Sequence, residues 1–299
     1  MKIVITGGTG LVGQALTSEL IRNGHNVVIL TRKSRTADNQ GIQYVRWLNP
    51  GDKPEEMLDG TNAIVNLAGA TINGRWTEDY KQKILDSRLD AAAEITRIIS
   101  SLKTKPEALI NASAVGFYGT SEDEVFTETS PAGKYFLAST TVQWEAAAMK
   151  AGDLGLRVVL SRFGVILDKN GGALPRMAQP YKLFAGGRVG SGSQWLSWIH
   201  IEDVVQGIIF AIKHPHLAGP VNFTAPSPVR MEQFGKTLSN VMERPHWFPV
   251  PSFMLKLLLG EMSMLVLQGQ RAIPEKLLTS GYAFRYPELN QALKNIFDV

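Results

Sequence analysis

The first fourteen residues constrain this chain more than any other stretch. Met1-Lys2-Ile3-Val4-Ile5 is a short apolar run that leads into Thr6-Gly7-Gly8-Thr9-Gly10-Leu11-Val12-Gly13-Gln14. Ala15, Leu16, Leu20 and Ile21 follow with helical spacing. Together these read as a buried strand, a tight turn and a helix. Gly7, Gly10 and Gly13 stand three apart. In such a unit the first glycine permits the turn, the second lets the backbone approach a pyrophosphate, and the third lets the helix sit near the strand. The helix start presents free N–H groups and a positive dipole end to the phosphates. A second strand, Asn26 to Leu30, completes the unit. The expectation is dinucleotide binding at Thr6, Gly7, Gly8, Thr9, Gly10, Leu11, Val12 and Gly13, against a purely structural turn.

The same alternation continues. Strand-like runs recur at Ala63–Leu67, Ala108–Ala112 and Arg157–Arg162, and helical patterns lie at Gly13–Asn23, Glu78–Leu102 and Thr140–Gly152. Continuous apolar strands alternating with helices predict an α/β fold, a Rossmann-type doubly wound parallel sheet covered on both faces. Ligands bind such sheets at the carboxyl ends of the strands. Those ends carry Thr6–Gly10, Thr31-Arg32, Asn66-Leu67-Ala68-Gly69, Ser113-Ala114 and Arg162-Phe163-Gly164. After about residue 165 glycine loops appear, then a helix-like return over His200–Lys213 and a further candidate strand, Pro220–Thr224. The expected division is a dinucleotide-binding domain over 1–165 with a return segment near 200–224. A smaller, mostly helical substrate domain takes 166–199 and 225–299. The apolar stretch Met254–Leu267 is interrupted by Lys256, Gly260 and Glu261. It is too short to span a bilayer, and the expectation is a helix packed on its own domain.

Composition excludes several classes. With 299 residues and 44% hydrophobic content the chain can bury a sizeable core. It has no cysteine, so disulfides and thiolate metal sites are excluded. No cluster of metal-ligating residues is visible, and no metal is expected. The N-terminus reads as a core strand rather than a signal peptide, which suits a cytoplasmic protein. The net charge of +4 is dispersed, without a Lys/Arg block. That argues against nucleic acid and suits a phosphate-rich ligand. The end of the second strand then selects the cofactor. It reads Leu30-Thr31-Arg32-Lys33-Ser34-Arg35, with no acid before Asp38. NAD binders place an acid there to hold the ribose hydroxyls. Arg32 can instead fork onto a 2′-phosphate and stack on adenine. NADP(H) is therefore expected, NADPH over NADH; the competing reading is a solvated basic turn.

With these residues in hand, the chain resembles the extended short-chain dehydrogenase/reductases. More closely it is similar to their "epimerase family" branch, which carries a C-terminal domain of unassigned function. The shared pieces beyond the glycine turn are Asn66-Leu67-Ala68-Gly69, Arg75-Trp76-Thr77, Ser87-Arg88, Ser113-Ala114-Val115-Gly116-Phe117-Tyr118-Gly119 and Trp144-Glu145. Further on come Gly190-Ser191-Gly192, Gln194-Trp195, Ser197-Trp198-Ile199-His200, Asp203, Gly260-Glu261-Met262, Pro274 and Phe284-Arg285-Tyr286-Pro287. The resemblance implies a nicotinamide cofactor with a substrate cleft above it. The strand ends add Thr31, Leu67, Ala68, Gly69, Ala112, Arg162 and Gly164 to the expected cofactor site, and Arg88 reads either as an anion-binding group there or as a helix-capping or surface residue.

The superfamily's chemistry rests on a Ser or Thr with a Tyr that has Lys four residues on. This chain departs from that pattern, because none of its seven tyrosines has Lys at that spacing. Tyr135, at the expected place, is followed by Ser139. An unperturbed phenol is only ~0.1% phenolate at pH 7, a cost of about 4 kcal/mol. Tyr135 reads either as an acid/base or as an aromatic contact at a helix start. Ser113 reads either as the group that polarises a reacting oxygen or as a satisfied strand-end hydroxyl, with Ala114 one residue away from the same slot. Arg75, Trp76, Trp195 and Trp198 are candidates for substrate contact, with a helix-capping or surface role as the alternative for Arg75 and Trp76 and packing for Trp195 and Trp198. His200 reads as a structural hydrogen-bonder. The resulting expectation is an NADP(H)-dependent oxidoreductase or epimerase-like enzyme for a small hydroxyl or carbonyl substrate, with a homodimer as the superfamily's habit. The rival is a non-catalytic NADP(H) sensor or scaffold.

Overall fold

The computed structural model describes residues 1–35 and 41–299. Asp38 lies outside the described residues. Seven strands form one parallel sheet: β1 (Lys2–Thr6), β2 (Asn26–Thr31), β3 (Gln43–Arg46), β4 (Ala63–Asn66), β5 (Ala108–Ala114), β6 (Arg157–Phe163) and β7 (Gly219–Phe223). Across the sheet they stand in the order β7-β6-β5-β4-β1-β2-β3. From β1 the chain steps outward to β2 and β3, then returns to β4 on the other side of β1. That reversal opens a crevice at the carboxyl ends of β1 and β4.

The strands bury both faces, and their period of two shows it. Ile3 and Ile5 join Leu16 and Leu20 of α1 (Leu11–Arg22) in one apolar cluster. Val4 points the other way and joins Ile95 and Ile98 of α2 (Glu78–Ser101). The second face is shared with α3 (Phe136–Met149) through Ala148. Continuous Val/Ile runs are what such two-sided burial requires. The sequence pattern misses β3, which is only four residues long and half-exposed at the sheet edge. Its alternation is too short to register.

The remaining elements build a second layer. α4 (Leu174–Lys182) and α6 (Met231–Met242) enclose a cluster around Trp198, Phe234 and Leu238, closed by Leu289 and Leu293 of the last helix. α5 (Ile201–Lys213) returns to the sheet, and Leu277 and Tyr282 pack with it into the first core. The helix expected over Met254–Leu267 departs from expectation. α7 (Ser252–Leu259) has no buried residue. It runs two turns before Gly260, at φ +57°, ends it; Ser252, Leu255 and Leu259 are half-buried and its other five residues are exposed. Among the described residues no helix is long and apolar enough to cross a membrane.

Candidate functional site

The glycine turn is tight for reasons that the backbone makes explicit. Gly7 adopts φ +65°, and a Cβ there would lie 2.6 Å from the Leu67 carbonyl oxygen. A Cβ on Gly13 would lie 2.4 Å from the carbonyl oxygen of Gly7, so α1 rests almost directly on the turn. Gly10 is the N-cap of α1 and offers no side-chain cap; a Cβ there would meet only the Gly7 oxygen, at 3.3 Å. Thr9 and Gly10 are exposed, and the first turn of α1 contains no acid. Close backbone, uncovered helix start and absent negative charge together fit a pyrophosphate. Leu11 lies beneath the Gly171–Gly172 loop and Val12 packs on the sheet core.

A buried polar chain forms the floor. Thr6 Oγ1 donates to Asn66 Oδ1 at 2.6 Å and accepts the N–H groups of Leu67 and Ala68, each at 3.1 Å. Asn66 Nδ2 donates to Asn111 Oδ1 at 2.6 Å, and Asn111 Nδ2 donates to the Ala112 carbonyl at 2.7 Å. The chain crosses β1, β4 and β5 and fixes the Leu67–Gly69 loop at the crevice edge. Arg88 of α2 lies against this loop: a Cβ on Gly69 would approach its Cζ to 3.2 Å. Its Nη1 donates to the carbonyls of Ala70 (3.2 Å) and Ile84 (2.7 Å). Burial pushes its pKa down to about 10, with no carboxylate beside it to restore it.

The end of β2 is basic and open. Arg32, Lys33 and Arg35 are exposed, and among the described residues none pairs with a carboxylate. The Arg32 carbonyl accepts a hydrogen bond from Asn49 Nδ2 at 3.1 Å, which anchors the backbone, and among the described residues the guanidinium is unengaged. Lys33 N–H donates to Thr31 Oγ1 at 3.4 Å.

Beyond β5 the polar groups turn inward. Ser113 Oγ donates to Glu145 Oε1 at 2.5 Å. Glu145 forms a two-pronged pair with Arg162, Nε to Oε1 at 2.8 Å and Nη2 to Oε2 at 2.7 Å. Arg162 Nη1 donates to Tyr118 Oη at 3.0 Å, and Tyr118 Oη donates to Asn222 Oδ1 at 2.6 Å. The Arg162 guanidinium lies 3.5 Å over the Phe117 ring and is only 3% exposed. Its side chain therefore binds strands and helix together rather than facing a ligand. Gly164 also has a structural cause: a Cβ there would lie 2.5 Å from the Ser197 carbonyl oxygen. Sequence reasoning did not single out Asn111, Glu128 or Asn222. For Asn111 and Asn222 the only signal was an Asn within an apolar strand run; Glu128, whose Oε1 accepts the Asn222 N–H at 3.0 Å, lies in a turn and had none.

Tyr135 is the N-cap of α3 and half-buried. Its hydroxyl lies over Gly116, 3.5 Å from where a Cβ would stand. Burial pushes its pKa up to about 12, and no cation is among the causes. Arg75 is exposed, whereas Trp76 is buried, donates Nε1–H to the Ile72 carbonyl at 3.0 Å and meets Phe136 edge-on at 5.5 Å. Trp195 is half-buried, and the guanidinium groups of Arg230 and Arg271 lie over its ring at 3.9 and 4.8 Å. Trp198 corrects the expectation of substrate contact. It is 0% exposed and donates Nε1–H to the Ser227 carbonyl at 3.0 Å, as a core residue does. Among the described residues no three His, Cys, Asp or Glu side chains group to hold a metal ion.

The fold and the turn have relatives. The profile of the NAD-dependent epimerase/dehydratase family matches residues 3–222. The chain belongs to that family. A domain of unknown function (DUF1731) matches residues 250–296. The epimerase family protein YfhF of Bacillus subtilis is 50% identical over 297 residues, covering 99% of this chain and 98% of the relative. An epimerase family protein of Staphylococcus haemolyticus is 44% identical over 298 residues, covering 99% of each. Among solved structures, the human epimerase family protein SDR39U1 (isoform 2) with NADPH superposes with TM-score 0.90 at 33% identity, covering 100% of this chain and 99% of that one. A nucleoside-diphosphate sugar epimerase from Corynebacterium glutamicum gives TM-score 0.79 at 33% identity, over 98% of this chain and 57% of that one. The protein is epimerase-like and built to bind a nicotinamide nucleotide.

Proposed function

We propose that the chain is an NADP(H)-dependent reductase, or an epimerase-like enzyme passing through such a step, acting on a small carbonyl or hydroxyl compound. The observation that carries the cofactor choice is the open basic end of β2, Arg32 to Arg35, without a carboxylate among the described residues. The NADPH bound to the human relative supports the same choice. Residues Thr6 to Gly13 would hold the pyrophosphate, Arg32 the 2′-phosphate, and the Leu67–Gly69 loop with Arg88 the far half of the cofactor. When bound, the reduced nicotinamide supplies a hydride.

Tyr135 would supply the proton. A phenol with pKa about 12 cannot serve as a base near neutrality, because ionising it about five pH units below its pKa costs about 7 kcal/mol. As a donor it starts from the neutral phenol, and only the transfer itself leaves the phenolate. It gives its proton to the oxygen of a carbonyl that receives the hydride, and water reprotonates it. Near neutrality the phenol is therefore in the protonated form that the reductive step uses. Ser113 acts through Glu145, as a positioning group for β5 and α3. The test is stereospecifically deuterated NADPH with a panel of small carbonyl compounds. Label should appear on a carbinol carbon, and Tyr135→Phe should lower turnover about 10²–10⁴-fold with NADPH affinity unchanged. Absence of transfer across the panel, with tight NADPH binding, favours the sensor reading, which the same unassisted phenol supports.

A further inference from the structure

α7 is an apolar helix that the fold leaves largely exposed. Its sequence is Ser-Phe-Met-Leu-Lys-Leu-Leu-Leu, and none of its residues is buried. Leu257 is 84% exposed, Leu258 76% and Phe253 70%. The patch continues along the chain to Phe248 (63%) and Trp247 (72%), and Trp247 Nε1 donates to the Phe184 carbonyl at 2.9 Å, bringing Phe184 (56%) beside them. A patch of this kind on a soluble chain marks an interaction surface.

The charge around the patch says what covers it. Lys256 lies within α7, Lys182 precedes Leu183 and Phe184, and the Arg244 guanidinium lies 4.7 Å over the Phe184 ring. Arg188 joins the patch through its carbonyl, which accepts the Val250 N–H at 2.8 Å. Among the described residues none of these four cations is ion-paired. Of the acids nearby, Glu261 is held by Lys81 at 2.7 Å and Glu232, which meets Arg188 across Gly192, by Lys236 at 3.2 Å; among the described residues Glu243 has no ion pair. A second copy of the chain would bring the same excess of positive charge against itself. An anionic lipid surface meets both features at once: aromatic and leucine side chains enter the headgroup boundary while Lys and Arg hold anionic headgroups. Eight residues make a helix of about 12 Å, which can lie in the interface and cannot cross it.

We propose that α7 and its Trp247–Phe248 flank form a peripheral docking surface for anionic membranes. This departs from the sequence expectation of no membrane partner. The test is co-sedimentation of the full-length protein with phosphatidylcholine vesicles, with and without about a third phosphatidylglycerol. The wild type should partition onto the anionic vesicles, less so at high salt, and little onto the neutral ones. Lys256→Ala should weaken binding about fivefold, the worth of one cation near such a surface. The double variant Leu257→Glu/Leu258→Glu should lose binding at least about tenfold, with NADPH affinity and melting temperature unchanged. Failure of the wild type to bind anionic vesicles overturns the proposal. So does a wild-type dimer that the double variant dissociates, because the face would then belong to a second copy.

Discussion

Replacing Arg32 by alanine separates the two nicotinamide nucleotides. In the free protein the Arg32 side chain is exposed and unpaired among the described residues, and only its backbone carbonyl is engaged, by Asn49 at 3.1 Å. Truncation should thus leave folding stability within about 0.5 kcal/mol of wild type. On the proposed reading, what is lost is the interaction with the 2′-phosphate. A hydrogen bond to a charged group contributes about 1.5–3 kcal/mol, and exposure to solvent pulls this one toward the lower end. A loss of about 1.5–2 kcal/mol raises the NADPH dissociation constant about 10–30-fold. NADH carries a hydroxyl at that position, so its affinity should stay within about twofold. Calorimetric titration of wild type and Arg32→Ala with both nucleotides reads the difference directly. Rising ionic strength should weaken NADPH binding in the wild type and do so less in the variant. Equal losses for NADPH and NADH would refute the reasoning, since they would make Arg32 a support for the turn. No loss for either would assign the 2′-phosphate to Lys33 and Arg35, or remove it from this edge.

Two further substitutions probe the buried polar groups. Glu145→Ala strands the Arg162 guanidinium, which is 3% exposed; removing one partner of a buried pair costs about 3–5 kcal/mol, to be read by urea denaturation. His200 makes stability depend on pH. Burial pushes its pKa down to about 4 from 6.5, and its Nδ1 accepts the Glu202 N–H at the start of α5. The unfolded chain binds the proton more readily, so stability is whole above the unfolded pKa and falls with pH below it. The loss should reach about 3 kcal/mol as pH nears the folded value, and His200→Asn, which keeps a cap, should flatten that limb.

How far the sequence could be read depends on the kind of interaction. The sheet was legible because Ile3, Val4 and Ile5 must all be dry, and a strand dry on both faces is written as an unbroken apolar run. The glycine turn was legible because Gly7 and Gly13 answer to contacts within a few residues or across one strand. Partnerships between distant polar groups were not. Thr6, Asn66 and Asn111 meet across 45 to 60 residues of chain, and nothing local announces it. Arg162 and Trp198 sit next to loops in sequence, where a ligand residue would, but their side chains turn into the core. α7 failed for the opposite reason. Its apolar content was read as burial, although hydrophobicity along a chain does not say whether a neighbour exists to cover it.

The crevice divides its work in a way that these placements make testable. Its floor is internally saturated: Thr6, Asn66 and Asn111 bond one another, and Ser113 donates to Glu145. Such groups have little left for a ligand, so they act by holding the turn and the Leu67–Gly69 loop in place. On the proposed reading, recognition falls to what is uncovered, namely backbone N–H groups at the start of α1, the cations after β2, and the half-buried Arg88. Substitutions should sort accordingly. Asn66→Ala removes a buried bridge between strands and should cost about 1–3 kcal/mol of stability, weakening NADPH and NADH alike because both rest on the same turn. Changes after β2 should leave stability alone and discriminate between them. A variant of the floor that selectively spared NADH would contradict this division, because it would require Asn66 to sense a phosphate that lies beyond β2.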